Sequence, residues 1–156
     1  MKDKVLIIGV GNIFRNDDGA GIFAVNKLKE KNLPHTKVIE QSGEGVALMN
    51  SWENFETVII IDAVSSGAKP GKIHYLNAKE QIIPKKFFNY STHAFSVAES
   101  IELARVLDKL PSKLLIYGIE GKDFSGGQIL SPKVEASVFK VIDKITDYIL
   151  KGEKDA

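Results

Sequence analysis

The chain has 156 residues, 44% of them hydrophobic and 26% charged, a size and balance that fit one soluble globular domain burying roughly 70% of its unfolded surface. With 21 Lys and Arg against 20 Asp and Glu the formal charge is +1, which supplies no global field for gathering nucleic acid or an anionic membrane. No apolar run approaches the roughly 20 residues that span a bilayer, no secretory signal pattern precedes the first strand, and the lack of cysteine excludes disulfides, thiolate metal ligands and a thiol nucleophile. The expectation is a cytoplasmic enzyme or binding protein of one domain, residues 1–156, in which 152–156 form a polar tail.

Strand and helix patterns alternate along the chain. Val5 to Ile8 is apolar throughout and reads as a buried strand. Gly21 to Lys31 carries Ile22, Val25 and Leu28 at helical spacing and stops before Pro34. Lys37 to Gln41 reads as a short strand, and Gly45 to Trp52 as a helix after a glycine-rich turn. Thr57 to Asp62 is the strongest strand, β-branched and apolar on both faces, and belongs at the centre of a sheet. Lys69-Pro70-Gly71 turns into an edge strand, Lys72 to Leu76. A loop rich in Pro, Lys, Phe and Tyr leads to Ser91-Thr92-His93, and the spacing from Phe95 to Leu107 predicts a long helix. Leu114 to Ile119 is the last strand, Glu120 to Leu130 a glycine-rich loop, and Ser131-Pro132 a cap plus first-turn proline opening the C-terminal helix. This order predicts a single-domain α/β three-layer sandwich: a mostly parallel twisted sheet of about five strands with helices on both faces.

The segment after the first strand is the most telling. Gly9-Val10-Gly11-Asn12-Ile13-Phe14 begins like a dinucleotide fingerprint, but Phe14 occupies the place of the third glycine, so the close helix–strand approach is not provided for. Asp17 and Asp18 then stand where a pyrophosphate needs N–H donors and no competing anion. A glycine loop that presents carboxylates is built to meet a cation. Gly9, Gly11 and Gly19 are expected to serve the backbone rather than the chemistry.

Sites in open α/β sheets form beyond the carboxyl ends of the strands. Asp18 follows the first strand, Asp62 ends the third, and His93 heads a long helix. If the first and third strands are neighbours, two carboxylates and an imidazole meet as a partial ligand set for nickel or zinc. Other readings stand beside this one. Asp17 or Asp18 would also serve as a helix N-cap, Asp62 as a turn or cap residue, and Ser91-Thr92-His93 as a cap. His35 and His74 read as surface residues, and Glu40 sits where a ribose-binding acid would.

These residues together resemble the hydrogenase maturation proteases, endopeptidases that trim the large subunit of nickel–iron hydrogenases. The family pattern of a strand, G-x-G-N and an acidic residue six positions on is matched by Gly9, Gly11, Asn12 and Asp18. Asp62 in Ile59-Ile60-Ile61-Asp62-Ala63, His93, the segment Gly118-Ile119-Glu120 and Leu130-Ser131-Pro132 extend the likeness from about Lys4 to about Leu150. The chain departs from the pattern at Gln41-Ser42-Gly43-Glu44-Gly45, where many members have a Gly-Gly-Thr turn, and at Gly121, where proline is common.

The resemblance implies that Asp18, Asp62 and His93 bind nickel carried by the substrate and also form the catalytic set. Other divalent cations would occupy the site in isolation. It implies a hydrogenase large-subunit precursor as partner, shortened at its C-terminus, with no nucleic acid and no membrane insertion. A nickel-recognising adaptor that cuts nothing and a nucleotide-binding module are the alternatives.

Overall fold

The structure is a computed structural model that describes residues 3–42, 45–84 and 97–155, without the side chains of 45, 46 and 152–155. Alternating side chains explain its layers. On the strand Thr57–Val64, here β3, Val58, Ile60 and Val64 enter one apolar cluster while Ile59, Ile61 and Ala63 enter another. A strand apolar on both faces needs cover on both. The helices Ala20–Lys29 (α1) and Pro132–Asp155 (α4) cover the Ile59 face. Gly45–Ser51 (α2) and Val97–Val106 (α3) cover the Val58 face. The result is the expected three-layer α/β sandwich. On α4, Val134, Val138, Val141, Ile142, Ile145 and Ile149 recur every three or four residues and are all buried, the stripe of a helix lying on a core. That helix continues to Asp155 and takes in residues 152–155. Among the described residues, no helix is long and apolar enough to cross a membrane.

The remaining strands are β1 (Val5–Val10), β2 (Thr36–Gln41), β4 (Ile73–Asn77) and β5 (Lys113–Glu120), and the sheet order is β2-β1-β3-β5-β4. All pairings are parallel except that of the edge strand β4 with β5. From β1 the chain passes through α1 to β2 on one side, then through α2 to β3 on the other. The strand order therefore reverses at β1 and β3, and a crevice opens beyond their carboxyl ends. Their pairing stops at Gly9↔Ile61, although β1 continues beside β2 to Val10↔Gln41 and β3 beside β5 to Val64↔Glu120. Asp62 is the first residue of β3 past the shared ladder. It is not the last of its strand, which runs two residues further than expected because β5 still pairs with it.

The start of α1 fills the opening. A Cβ on Gly21 would lie 2.2 Å from Ile61 O and 2.6 Å from Val10 O, and one on Gly9 would lie 2.3 Å from Gly21 O. The close helix–strand approach that Phe14 denies the loop is supplied by Gly9 and Gly21, which corrects the sequence expectation. Gly21→Ala is expected to cost about 3 kcal/mol through overpacking against backbone, roughly 6–12 °C in Tm for a chain of this size. Gly126, whose Cβ would meet nothing within 4 Å, should tolerate alanine within about 0.5 kcal/mol. Thermal melts of the two variants check this, and equal melting points would contradict it.

Candidate active site at the carboxyl rim

Past Val10 the chain doubles back so that Asp18 returns to the end of β1. The Asn12 N–H donates to Asp18 Oδ2 at 3.1 Å and to the Asp18 carbonyl at 3.3 Å. Gly11 lies beneath that carbonyl at φ +147, and a Cβ there would stand 2.0 Å from the oxygen. Only glycine fits such an approach. Gly19 is a milder case, with its nearest contact at 3.1 Å. Asn16–Gly19 form a single 3-10 turn that packs against β3 and leads into α1. Neither Asp17 nor Asp18 caps α1, since its N-cap is Gly19 with no side-chain bond.

The two neighbouring carboxylates have separate duties. Asp17 is fully buried and accepts four bonds from the loop between β5 and α4: Lys122 N–H at 2.8 Å and Asp123 N–H at 2.9 Å, Ser131 N–H at 2.7 Å and Ser131 Oγ–H at 2.8 Å. The Ser131 hydroxyl, expected as a helix cap, is turned to Asp17. Four donors satisfy both of its oxygens and fix the side chain against that loop. Asp18 is 7% exposed and faces the rim where β1 ends. Asp62 is 3% exposed, with Oδ1 accepting the Ala63 N–H at 2.8 Å. By alternation it shares the α2 and α3 face with Ile60 and Val64. The turn carrying Asp18 and the strand carrying Asp62 meet at the crevice that the fold opens. His93 lies outside the described residues, and among those described no three His, Asp or Glu side chains form a metal-holding group.

A second polar cluster stands on the Asp62 face. Glu120, 2% exposed, accepts the Ser66 N–H at 2.8 Å, the Ser66 hydroxyl at 2.6 Å and His74 Nε2 at 3.1 Å. Gly118 pairs with both Asp62 and His74, and the Val64 side chain lies over it, 2.4 Å from where a Cβ would stand. The contact with Glu120 draws His74 inward rather than leaving it on the surface. Glu120, like Asp62, is a carboxylate in the last residues of a buried strand, a pattern visible in the sequence. Glu40 is exposed and bonded to Lys29 at 3.3 Å. Asp123, on the loop that Asp17 holds, is kept below the usual carboxylate range by the Ser125 hydroxyl and N–H and by Asn16.

The sheet thus sets two buried carboxylates, Asp18 and Asp62, at the rim where its strand order reverses. Comparison with known proteins gives the class. The family model described as hydrogenase maturation protease matches residues 22–148. A putative hydrogenase maturation protease of Methanocaldococcus jannaschii is 31% identical over 155 residues, covering 96% of each chain. The hydrogenase 2 maturation protease of Escherichia coli is 27% identical, over 91% of this chain and 88% of that one. Among solved structures, the hydrogenase maturating endopeptidase HybD from E. coli superposes with a TM-score of 0.77 at 26% identity, covering 93% of this chain and 90% of that one. The chain belongs to the hydrogenase maturation protease family, and its role is that of a hydrolase, a protease of hydrogenase maturation.

Asp17→Asn tests the division of labour between the two aspartates. An amide offers one acceptor oxygen and turns an NH2 toward donors, so at least about 2 kcal/mol is expected to be lost. That corresponds to roughly 4–8 °C in Tm, with faster hydrogen exchange at Lys122, Asp123 and Ser131. Unchanged melting and exchange would show that the clamp carries no weight.

Proposed function

We propose that the protein is an endopeptidase that removes the C-terminal extension of a nickel-loaded nickel–iron hydrogenase large-subunit precursor, recognising the nickel through Asp18, Asp62 and His93. The observation that carries this reading is the meeting of the Asp18 turn with β3 at the crevice where Asp62 leaves the shared ladder. The chain has no cysteine, so its donors are oxygens and an imidazole nitrogen. These are harder ligands than thiolates and hold nickel less tightly. Such a site inspects a metal held by the precursor's cysteines without removing it.

Cleavage adds water across one peptide bond. The carbonyl carbon gains the hydroxyl, the amine leaves with a proton, and a carboxylate of the site takes the proton from the attacking water. The substrate's nickel supplies positive charge beside the carbonyl as negative charge develops on its oxygen. Because that interaction strengthens in the transition state, it raises the rate only when the metal is present. In this reading the reaction takes place in the cytoplasm.

The test is cleavage of a purified precursor with and without nickel, followed by mass spectrometry. The nickel form should lose its extension and the metal-free form should stay intact. Asp18→Asn, Asp62→Ala and His93→Ala should each lower kcat/KM at least about 100-fold. Equal cutting of both precursors would exclude nickel as the signal. A tight complex without any mass loss would favour the adaptor reading.

A further inference from the structure

The rim carries a feature that metal recognition does not use. The loop after β1 and the loop before α4 are bonded to each other: Gly127 N–H to Phe14 O at 2.9 Å, Asn16 N–H to Gly127 O at 2.8 Å, and Ile129 N–H to Asn16 Oδ1 at 3.1 Å. Arg15 Nε donates to Phe124 O at 3.2 Å across the same seam. On this braced pair Ile13, Phe14 and Ile129 are 43%, 60% and 76% exposed. Single exposed apolar residues are ordinary, but several gathered on mutually bonded loops mark an interaction surface. The bracing keeps them from folding inward.

The patch is continuous with the candidate site. The Phe14 N–H donates to Asn12 Oδ1 at 2.9 Å, and the Asn12 N–H donates to Asp18 Oδ2 at 3.1 Å. Within the loops Arg15 is bonded to Phe124 O and Asp123 to Ser125 and Asn16, while Lys122 is exposed beside them. The surface that Ile13, Phe14 and Ile129 themselves offer a partner is apolar.

We propose that Ile13, Phe14 and Ile129 form a rigid docking platform for an apolar segment of the polypeptide substrate, seated beside the bond to be cut. The active rim of a protease is an interface with a polypeptide, and this platform extends that rim. The proposal rests on the reading of Asp18 and Asp62 as the reacting site. Because the platform is preorganised, little ordering opposes binding.

The test uses the full chain and a purified nickel-loaded large-subunit precursor. Phe14→Ser combined with Ile129→Ser should raise KM about tenfold or more, with kcat within about threefold and Tm unchanged, since both side chains already face water. Val106→Ser, a change to an 83% exposed residue on α3, should leave both constants alone. If the double variant does not fold, Ile129→Ser alone carries the same expectation at smaller amplitude. A wild-type KM in the platform variant would overturn the proposal, even where Asp18→Asn abolishes cutting. A raised KM together with normal cutting by Asp18→Asn would remove Asp18 from the site and overturn the placement of the platform beside the bond to be cut. Sedimentation showing a dimer that the double variant dissociates would give the patch to a second copy of the chain and also overturn it.

Discussion

The structure depends on the place where β1 and β3 part. Their shared ladder ends at Gly9↔Ile61, and beyond it β1 follows β2 while β3 follows β5. Two parallel strands that diverge leave backbone carbonyls facing an opening, and such groups need cover. The start of α1 provides it, but only because Gly9 and Gly21 bring no side chain to the contact. With α1 held there, the turn before it has one course, over the end of β1, which returns Asp18 to the Asn12 N–H. The absence of two side chains thus decides where a carboxylate stands.

The adjacent aspartates show how environment divides two chemically identical groups. Asp17 is fully buried, and its oxygens are occupied by four donors from the loop between β5 and α4. It joins parts of the chain more than a hundred residues apart. Asp18, one residue later, lies at the rim, where its Oδ2 accepts the Asn12 N–H. One carboxylate stabilises the rim and the other is presented by it. The same loop that Asp17 fastens also braces Phe14 and Ile129, so the clamp supports both the candidate ligand and the apolar surface beside it.

Much of this was legible in the sequence. The unbroken apolar run Val58–Ile61 is what a strand covered on both faces requires, and the spacing along α4 is that of a helix on a core. Asp62 stood out because a carboxylate ending such a strand is expensive to bury without purpose. Its strand runs on to Val64, since pairing with β5 could not be read from β3 alone. The clamp by Asp17 was hidden for a related reason: its partners, Lys122, Asp123 and Ser131, have no local relation to it. Gly21 looked like an ordinary helical residue until the helix was laid on the sheet. His74 looked exposed because Glu120, which draws it inward, lies on the neighbouring strand. Local pattern gives strands, helices and candidate carboxylates. Tertiary contact decides which of those carboxylates is clamped inside the fold and which stands at the rim.

The central claim is that oxygen ligands from this chain reach nickel while the precursor still holds it. Nickel-edge X-ray absorption, measured on the precursor alone and in stoichiometric complex with the protein, reads that contact directly. The account predicts new light-atom neighbours on nickel at about 2.0–2.2 Å in the complex, the usual range of metal–oxygen and metal–nitrogen bonds, which diminish with Asp18→Asn and Asp62→Asn. A nickel shell unchanged on forming the complex would contradict it.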